Sequence, residues 1–473
     1  MSPARVIFRH RNRVTKLNKS NPTLPIPPEN PSPYKDSKTR FLQGLLQIIQ
    51  PLSFLSDLEK QFFAKTVDFI LERKTAPLPH APTMAERKEL SPQERFEMIT
   101  ANLQEVLNPE IIHKIVVEED KALKVYWGTA TTGRPHCGYF VPIMKIAELL
   151  QAGCKVKILL ADVHATLDAD KCPEHLVKDR AEYYRFCIIE LLKAVNVDLT
   201  QLEFTLGSTF QWGPAYSKDK DRMFNVVSVH DAQKAGSEVV KQEKDAKMAG
   251  AVYPIMQCLD EEHLDVDAQF GGVDQRKIFT LAKESLPKIG YRQRAHLMNA
   301  MVPGLQGGKM SASDANSKID ILDNAEVVAK KLKKAEAVPK LIDGNGLLSF
   351  IQYVLLPASK FKTGSPLFRV ERREQDALEY ADISKIQEDY ANDVLTPQLL
   401  KPAITEALNT LLAPVQKAFQ ESSDWQKLEK TAYPPKEEVK KVKKVKNKGT
   451  GRPGGAKTEE EVTEGVEKLD VAA

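Results

Sequence analysis

The spacing of apolar residues changes twice along the chain. Between Lys124 and about Asn316, short β-branched and aromatic runs alternate with segments whose apolar residues recur every three or four positions. Val156-Lys157-Ile158-Leu159-Leu160 and Phe204-Thr205-Leu206 are examples of the runs. Leu176, Tyr183, Cys187 and Leu191 mark the clearest of the amphipathic helices. Strand–helix alternation of this kind predicts an α/β fold with a doubly wound, parallel sheet. From Asp320 to about Tyr433 the strand signals fade and helical spacing takes over, as in Val327–Leu332, Leu347–Ile351 and Ile404–Leu408. This predicts a second, mainly helical domain.

The ends of the chain follow neither pattern. Residues 1–40 carry six Arg and Lys residues before the first acid, Glu29, and then a cluster of prolines. An Arg-rich, acid-poor start has the character of a mitochondrial targeting segment, and equally of a disordered tail. Residues 41–75 hold apolar positions at helical spacing, interrupted by Pro51, and read as a weakly docked appendage. Met84 opens a fresh start, with Ser91 and Glu94 spaced as a helix capping box. After Pro434-Pro435 the apolar pattern is lost and lysines dominate, the composition of a chain disordered when free. The expected organisation is therefore an extension over 1–83, either a targeting segment or an over-long gene model. An α/β domain over 84–316, a helical domain over 317–433 and a lysine-rich tail over 434–473 follow it.

Composition narrows the class. The 473 residues are 42% hydrophobic and 28% charged, ordinary for a soluble protein with a large core. No apolar run approaches the ~20 residues that span a bilayer. The five cysteines are scattered without a CxxC pair, which argues against a disulfide framework or structural zinc and fits a reducing compartment. Net charge is only +4, yet the cations are gathered in patches, which is what a polyanionic partner responds to.

Two stretches carry candidate chemistry. Tyr126-Trp127-Gly128 to Gly133-Arg134-Pro135-His136-Cys137-Gly138-Tyr139 begins as a strand, passes through a turn rich in Gly, Thr and Pro, and enters an apolar helix. Pro142 and Gly153 are its boundary signals. Strand, glycine turn and helix start together make an anion site, because free N–H groups and the helix dipole face one spot. Gly138 leaves room for a flat ring on the helix backbone, and His136 has a donor for a phosphate. Taken alone, the stretch is equally an ordinary turn of an α/β sheet. The second stretch is Gly307-Gly308-Lys309-Met310-Ser311-Ala312-Ser313. Glycines followed by an ammonium and small hydroxyls suit a loop that closes on a polyphosphate. It is not a P-loop, since GxxxxGK[ST] is absent. Tyr253, Gln257 and Asp260 fall at i, i+4 and i+7, so one helix face presents all three to a single ligand or, on the plainer reading, to water.

Together the two stretches resemble the HIGH and KMSKS motifs of class I aminoacyl-tRNA synthetases. YWGTATTGRPHCGYFVP, AGAVYPIMQCLDEEHLDVDAQFGGVDQRKIF and HLMNAMVPGLQGGKMSASDANSKID are similar to the eukaryotic tyrosyl branch, most nearly its fungal members. The likeness runs from about Ser91 to Pro357, weakens towards Phe419, and excludes residues 1–83. It implies a Rossmann-like catalytic domain carrying a homodimer interface, then a helical anticodon-binding domain. The implied reaction joins tyrosine to ATP as an adenylate, with Mg2+ borne by the substrate, and passes it to the terminal ribose of tRNA(Tyr). His136, Thr132, Lys309 and Ser311 would serve the phosphates. Gly128, Gly138, Asp274 and Met310 would complete the ATP site, with Asp274 on the ribose. Tyr126 and Asp260 would read the phenol, and Tyr253, Gln257 and Gln275 the amino and carboxylate end. The implied partners are tRNA, tyrosine and ATP, with no resident metal, membrane or DNA, in the cytoplasm with a possible minor nuclear or mitochondrial form. The rival readings are a tryptophanyl enzyme and a non-catalytic RNA-binding protein on the same fold.

Two positions depart from the motifs: Tyr139 stands where HIGH has its second His, and Ala312 where KMSKS has its second Lys. Phosphate stabilisation then rests more heavily on His136 and Lys309. Lys330, Lys331, Lys333 and Lys334 lie on a predicted helix, open to three readings: a solvated face, a tRNA contact or a nuclear import signal. Ser228–Lys234 resembles the family stretch near the tRNA acceptor end.

Overall fold

The computed structural model describes residues 89–168, 171–240, 247–305 and 318–434. The expectations for residues 1–83, for the lysine tail beyond Pro434 and for Lys309, Met310 and Ser311 lie outside them. All described residues belong to one compact unit, Pro79–Ala473.

Six strands form the central sheet: β1 (Glu105–Leu107), β2 (Lys124–Thr129), β3 (Lys155–Leu160), β4 (Leu202–Leu206), β5 (Ala268–Gly272) and β6 (Ala295–Asn299). Their order is β1-β6-β5-β2-β3-β4, parallel except for β1, which runs antiparallel to β6. β2 is central because Val125, Tyr126 and Trp127 are all buried, a continuous run that needs cover on both faces. From β2 the chain winds outward through β3 and β4, then returns to the other side of β2 as β5 and β6. The order therefore reverses between β2 and β5, and a crevice opens at their carboxyl ends, where ligands bind in sheets of this kind. The fold is α/β and Rossmann-like.

The predicted boundaries around β2 hold. The helix after it spans Phe140–Gln151, and Gly153 adopts φ +78°, the left-handed conformation that ends a helix at low steric cost. Ser91 and Glu94 form the capping box at the start of the helix Pro92–Thr100. From Lys318 to Pro434 the described chain is mostly helical, its last helices being the long Pro397–Glu421 and the short Ser423–Ala432. Within this mainly helical region the charged stretch before Tyr380 forms an antiparallel hairpin, β7 (Phe368–Arg372) and β8 (Gln375–Tyr380). Phe368 and Val370 point inward while Arg369 and Glu371 face water, a period of two that is short and nearly hidden by its charges. Among the described residues no helix is long and apolar enough to cross a membrane.

Candidate active site

β2 runs into the turn Ala130–Pro135, and His136 closes it. The Gly138 N–H donates to His136 Nδ1 at 3.1 Å, so the neutral ring carries its proton on Nε2 as a free donor. Burial, followed by the nearby Lys318 ammonium, pulls the His136 pKa down to about 4. The ring is thus neutral near pH 7 and offers a hydrogen bond rather than a charge. Gly138 itself serves to orient that ring through its N–H.

The turn is held from outside by polar side chains of other elements. The hydroxyls of Tyr184 and Tyr433 each donate to the Gly133 carbonyl at 2.7 Å. Arg180 donates to the carbonyls of Thr132, of Lys171 at 3.0 Å and of Ala432 at 3.0 Å. Arg134 bridges Asp320, at 3.0 Å, and Glu429. His136 also pairs with Asp320 in an isolated antiparallel bridge, and the Cys137 N–H donates to Ile319 O at 2.8 Å. The described chain resumes at Lys318, so Ile319 and Asp320 lie beside His136 within two residues of that point.

Beyond the turn lies a cavity of about 470 Å³, at the carboxyl ends of β2 and β5 and against the helix Met248–His263. Tyr126, Gly128, Thr132, His136, Tyr253, Gln257, Asp260, Asp274 and Gln275 all line it. Nine positions scattered over 150 residues of sequence thus share one space. A larger cavity of about 1090 Å³ beside Pro92 and Gly153 contains none of them.

The inner end of the cavity is polar and sealed. Asp260 is wholly buried. Its Oδ1 accepts from Gln211 Nε2 at 2.7 Å and from the Tyr216 hydroxyl at 2.8 Å, while Oδ2 has no partner. Burial pushes its pKa up to about 8, against the two donors, which pull it down. The Tyr126 hydroxyl donates to Gln257 O at 3.2 Å, and Gln257 Nε2 to Gln275 Oε1 at 2.6 Å. Tyr126 and Asp260 therefore both border the cavity without bonding to each other. A Cβ on Gly271 would lie 2.8 Å from Gln275 Nε2, and one on Gly272 2.4 Å from Asp274 Oδ1. The glycines make room for those two side chains to fold back over the strand end.

Four residues of the cavity wall and its backing escaped the sequence reading. Gln211 and Tyr216 fix Asp260 from behind, but FQWGPAY reads only as a loop entering a helix. His164 is buried in the short helix Asp162–Leu167, its Nε2 unpartnered, with burial holding its pKa near 4. Gln269 lines the cavity from β5 with its Oε1 also unpartnered. Only Gln269 left a usable signal, a polar side chain inside a buried strand.

A reversing parallel sheet, a His-x-Gly turn at its switch point and a sealed polar pocket beside it define a protein that brings a nucleotide to a small ligand. Residues 118–413 match the family of class I tRNA synthetases for tryptophan and tyrosine, and the chain belongs to that family. Its curated relatives include the cytoplasmic tyrosine–tRNA ligases of Saccharomyces cerevisiae and Danio rerio. The yeast protein is 48% identical over 80% of this chain and 98% of its own length. The fish protein is 49% identical over 73% of this chain and 64% of its own length. The tyrosyl-tRNA synthetase of Archaeoglobus fulgidus, solved with L-tyrosine, superposes with a TM-score of 0.63 at 31% identity, covering 69% of this chain and 99% of that one. The tryptophanyl-tRNA synthetase of Aeropyrum pernix shares the fold at 17% identity and a TM-score of 0.53.

Proposed function

We infer that the chain activates L-tyrosine with ATP and transfers it to the terminal ribose of tRNA(Tyr). The observation that carries this reading is Asp260 Oδ2, a buried atom without a partner at the sealed end of the cavity, beside the Tyr126 hydroxyl. A phenol both donates and accepts, so it can bond Asp260 and Tyr126 together, whereas an indole N–H only donates. Phenylalanine would leave Asp260 Oδ2 buried without a partner, while Tyr126 keeps only its bond to Gln257 O, and discrimination of order 10⁴–10⁵ is available from a site built to bond a hydroxyl, without editing. The same asymmetry disfavours the tryptophanyl rival. A non-catalytic RNA-binding role does not explain why His136, Thr132 and Asp274 converge on the same cavity as the phenol readers.

Tyr253, Gln257 and Gln275 take the amino and carboxylate end of tyrosine. Thr132 and His136 face the phosphates, Gly128 leaves space for the nucleotide, Gly138 orients the imidazole, and Asp274 accepts from the ribose. The tyrosine carboxylate attacks the α-phosphorus, the bond to pyrophosphate breaks, and the adenylate remains; no covalent enzyme intermediate is needed. Catalysis is alignment of two anions and stabilisation of the charge that builds on phosphorus. The neutral His136 donor acts on that charge, Lys309 and Ser311 close over the pyrophosphate, and Met310 completes the ATP site. Mg2+ enters with the ATP phosphates.

The helical region carries the anticodon contacts, with Lys330, Lys333 and Lys334 adding attraction that weakens steeply with salt. The active unit is a homodimer: Trp212, Phe224, Val229 and Met248 leave large apolar area exposed on the segment between β4 and β5. The protein works in the cytoplasm, as its relatives' names suggest; the basic N-terminus would supply any minor mitochondrial form and the Lys330–Lys334 cluster any minor nuclear one. Charging tests the reading: tRNA(Tyr) transcripts should accept tyrosine from the purified chain and reject phenylalanine and tryptophan. Charging with tryptophan instead would overturn it.

A further inference from the structure

Besides Asp260 Oδ2, a second polar atom at the inner end of the cavity is buried without a partner: His164 Nε2. The two face each other across 3.9 Å, too far for a hydrogen bond and close enough for one atom to bridge them. Both side chains border the cavity. Their other polar atoms are committed elsewhere: Gln211 Nε2 donates to Asp260 Oδ1 at 2.7 Å and lies 3.5 Å from His164 Nδ1. The imidazole also packs nearly perpendicular to the Tyr253 ring, with centroids 4.6 Å apart. One amide thus backs both groups, and a ring contact fixes the tilt of the imidazole.

We propose that His164 is a third reader of the phenolic hydroxyl, facing Asp260 across the position that hydroxyl takes. The proposal rests on the tyrosine reading of the site. An oxygen about 2.7–2.9 Å from each of two atoms fits over a base of 3.9 Å with a bond angle near a right angle. With both partners uncharged and their other atoms accepting, Asp260 Oδ2 and His164 Nε2 each present a hydrogen, and a hydroxyl oxygen can accept from both while its own hydrogen goes to the Tyr126 oxygen; no other polar atom of the amino acids' ring side chains accepts twice and donates once. Burial favours the uncharged form of each partner, lifting Asp260 and lowering His164, so the pair accommodates a neutral hydroxyl rather than an ion. With phenylalanine both atoms stay buried and unpaired. Specificity then comes from two stranded groups opposite each other, in addition to Tyr126.

His164→Phe keeps an aromatic ring of similar size and removes the polar edge. In amino-acid-dependent ATP–pyrophosphate exchange, its preference for tyrosine over phenylalanine should fall about ten- to a hundredfold, the range for one buried hydrogen-bond partner. His164→Gln places an amide nitrogen where Nε2 was and should keep the preference within a few-fold of wild type. A preference unchanged in His164→Phe would overturn the proposal. Wild-type protein labelled with ¹⁵N-histidine gives a readout free of folding effects. Saturating tyrosine should shift the His164 ring nitrogen and saturating phenylalanine should not; equal shifts would refute the role. A wild-type chain showing no tyrosine-dependent exchange would sink the underlying reading, and this one with it, whereas tyrosine exchange with an indifferent His164 would sink this one alone.

Discussion

Replacing Asp260 by asparagine separates what that carboxyl does for tyrosine from what it costs the fold. The amide oxygen can still accept from Gln211 and Tyr216, so no donor behind the cavity loses its partner. What changes is the atom facing the cavity, from an oxygen to an amide nitrogen. Asp260 is fully buried and its pKa rises from 3.8 to about 8. The sign follows from linkage: the folded state holds this proton more tightly than the unfolded one, so wild-type stability falls as pH rises from about 4 towards 8. At about 1.4 kcal/mol per pH unit, the penalty is on the order of 4 kcal/mol at pH 7. Asparagine does not carry that penalty. Asp260→Asn should therefore unfold at higher urea than wild type at pH 8, with the gap closing towards pH 4. At pH 8 and above, where Asp260 ionises, the amide also removes an acceptor for the phenol, and there pyrophosphate exchange with tyrosine should fall by about two orders of magnitude, while phenylalanine exchange holds or rises. A wild type that is the more stable protein at pH 8, or a variant that still rejects phenylalanine as strongly, would refute the reasoning.

Other substitutions probe the rest of the site. Gly272→Ala should displace Asp274 and raise the KM for ATP about ten- to a hundredfold with little change in the KM for tyrosine, since the new Cβ would lie 2.4 Å from Asp274 Oδ1. Because the His136 pKa is near 4, the exchange rate should show no His136 limb between about pH 5.5 and 7.5; a limb near 6.5 that disappears in His136→Asn would contradict the neutral-donor role. Tyr433→Phe should cost at most about 1 kcal/mol and leave kcat unchanged, because Tyr184 still serves the Gly133 carbonyl. Arg180→Ala strips donors from three carbonyls around the same turn and should lower kcat about tenfold or more, read by the same assay.

The parts that were legible in sequence are those decided locally. β2, the helix boundaries at Phe140 and Gly153, and the capping box at Ser91 each follow from neighbours a few residues apart. The i, i+4, i+7 spacing of Tyr253, Gln257 and Asp260 placed three polar groups on one helix face, and that face does border the cavity. The hairpin β7–β8 was missed because two inward residues per strand are too few to stand out among charges. Gln211 and Tyr216 were missed for a different reason. They matter only through Asp260, more than forty residues away, and nothing local marks a side chain whose partner is another side chain's second oxygen. His164 was illegible because a lone histidine on a short helix becomes informative only once its unpartnered atom is seen opposite Asp260.

The measurement that bears most directly on the central claim is ATP–pyrophosphate exchange by the wild-type chain with tyrosine, phenylalanine and tryptophan in turn. The cavity between β2 and β5, ending in Asp260 Oδ2, predicts exchange with tyrosine alone, with phenylalanine lower by about four orders of magnitude and tryptophan at background. Exchange driven by tryptophan, or by tyrosine and phenylalanine alike, would contradict it.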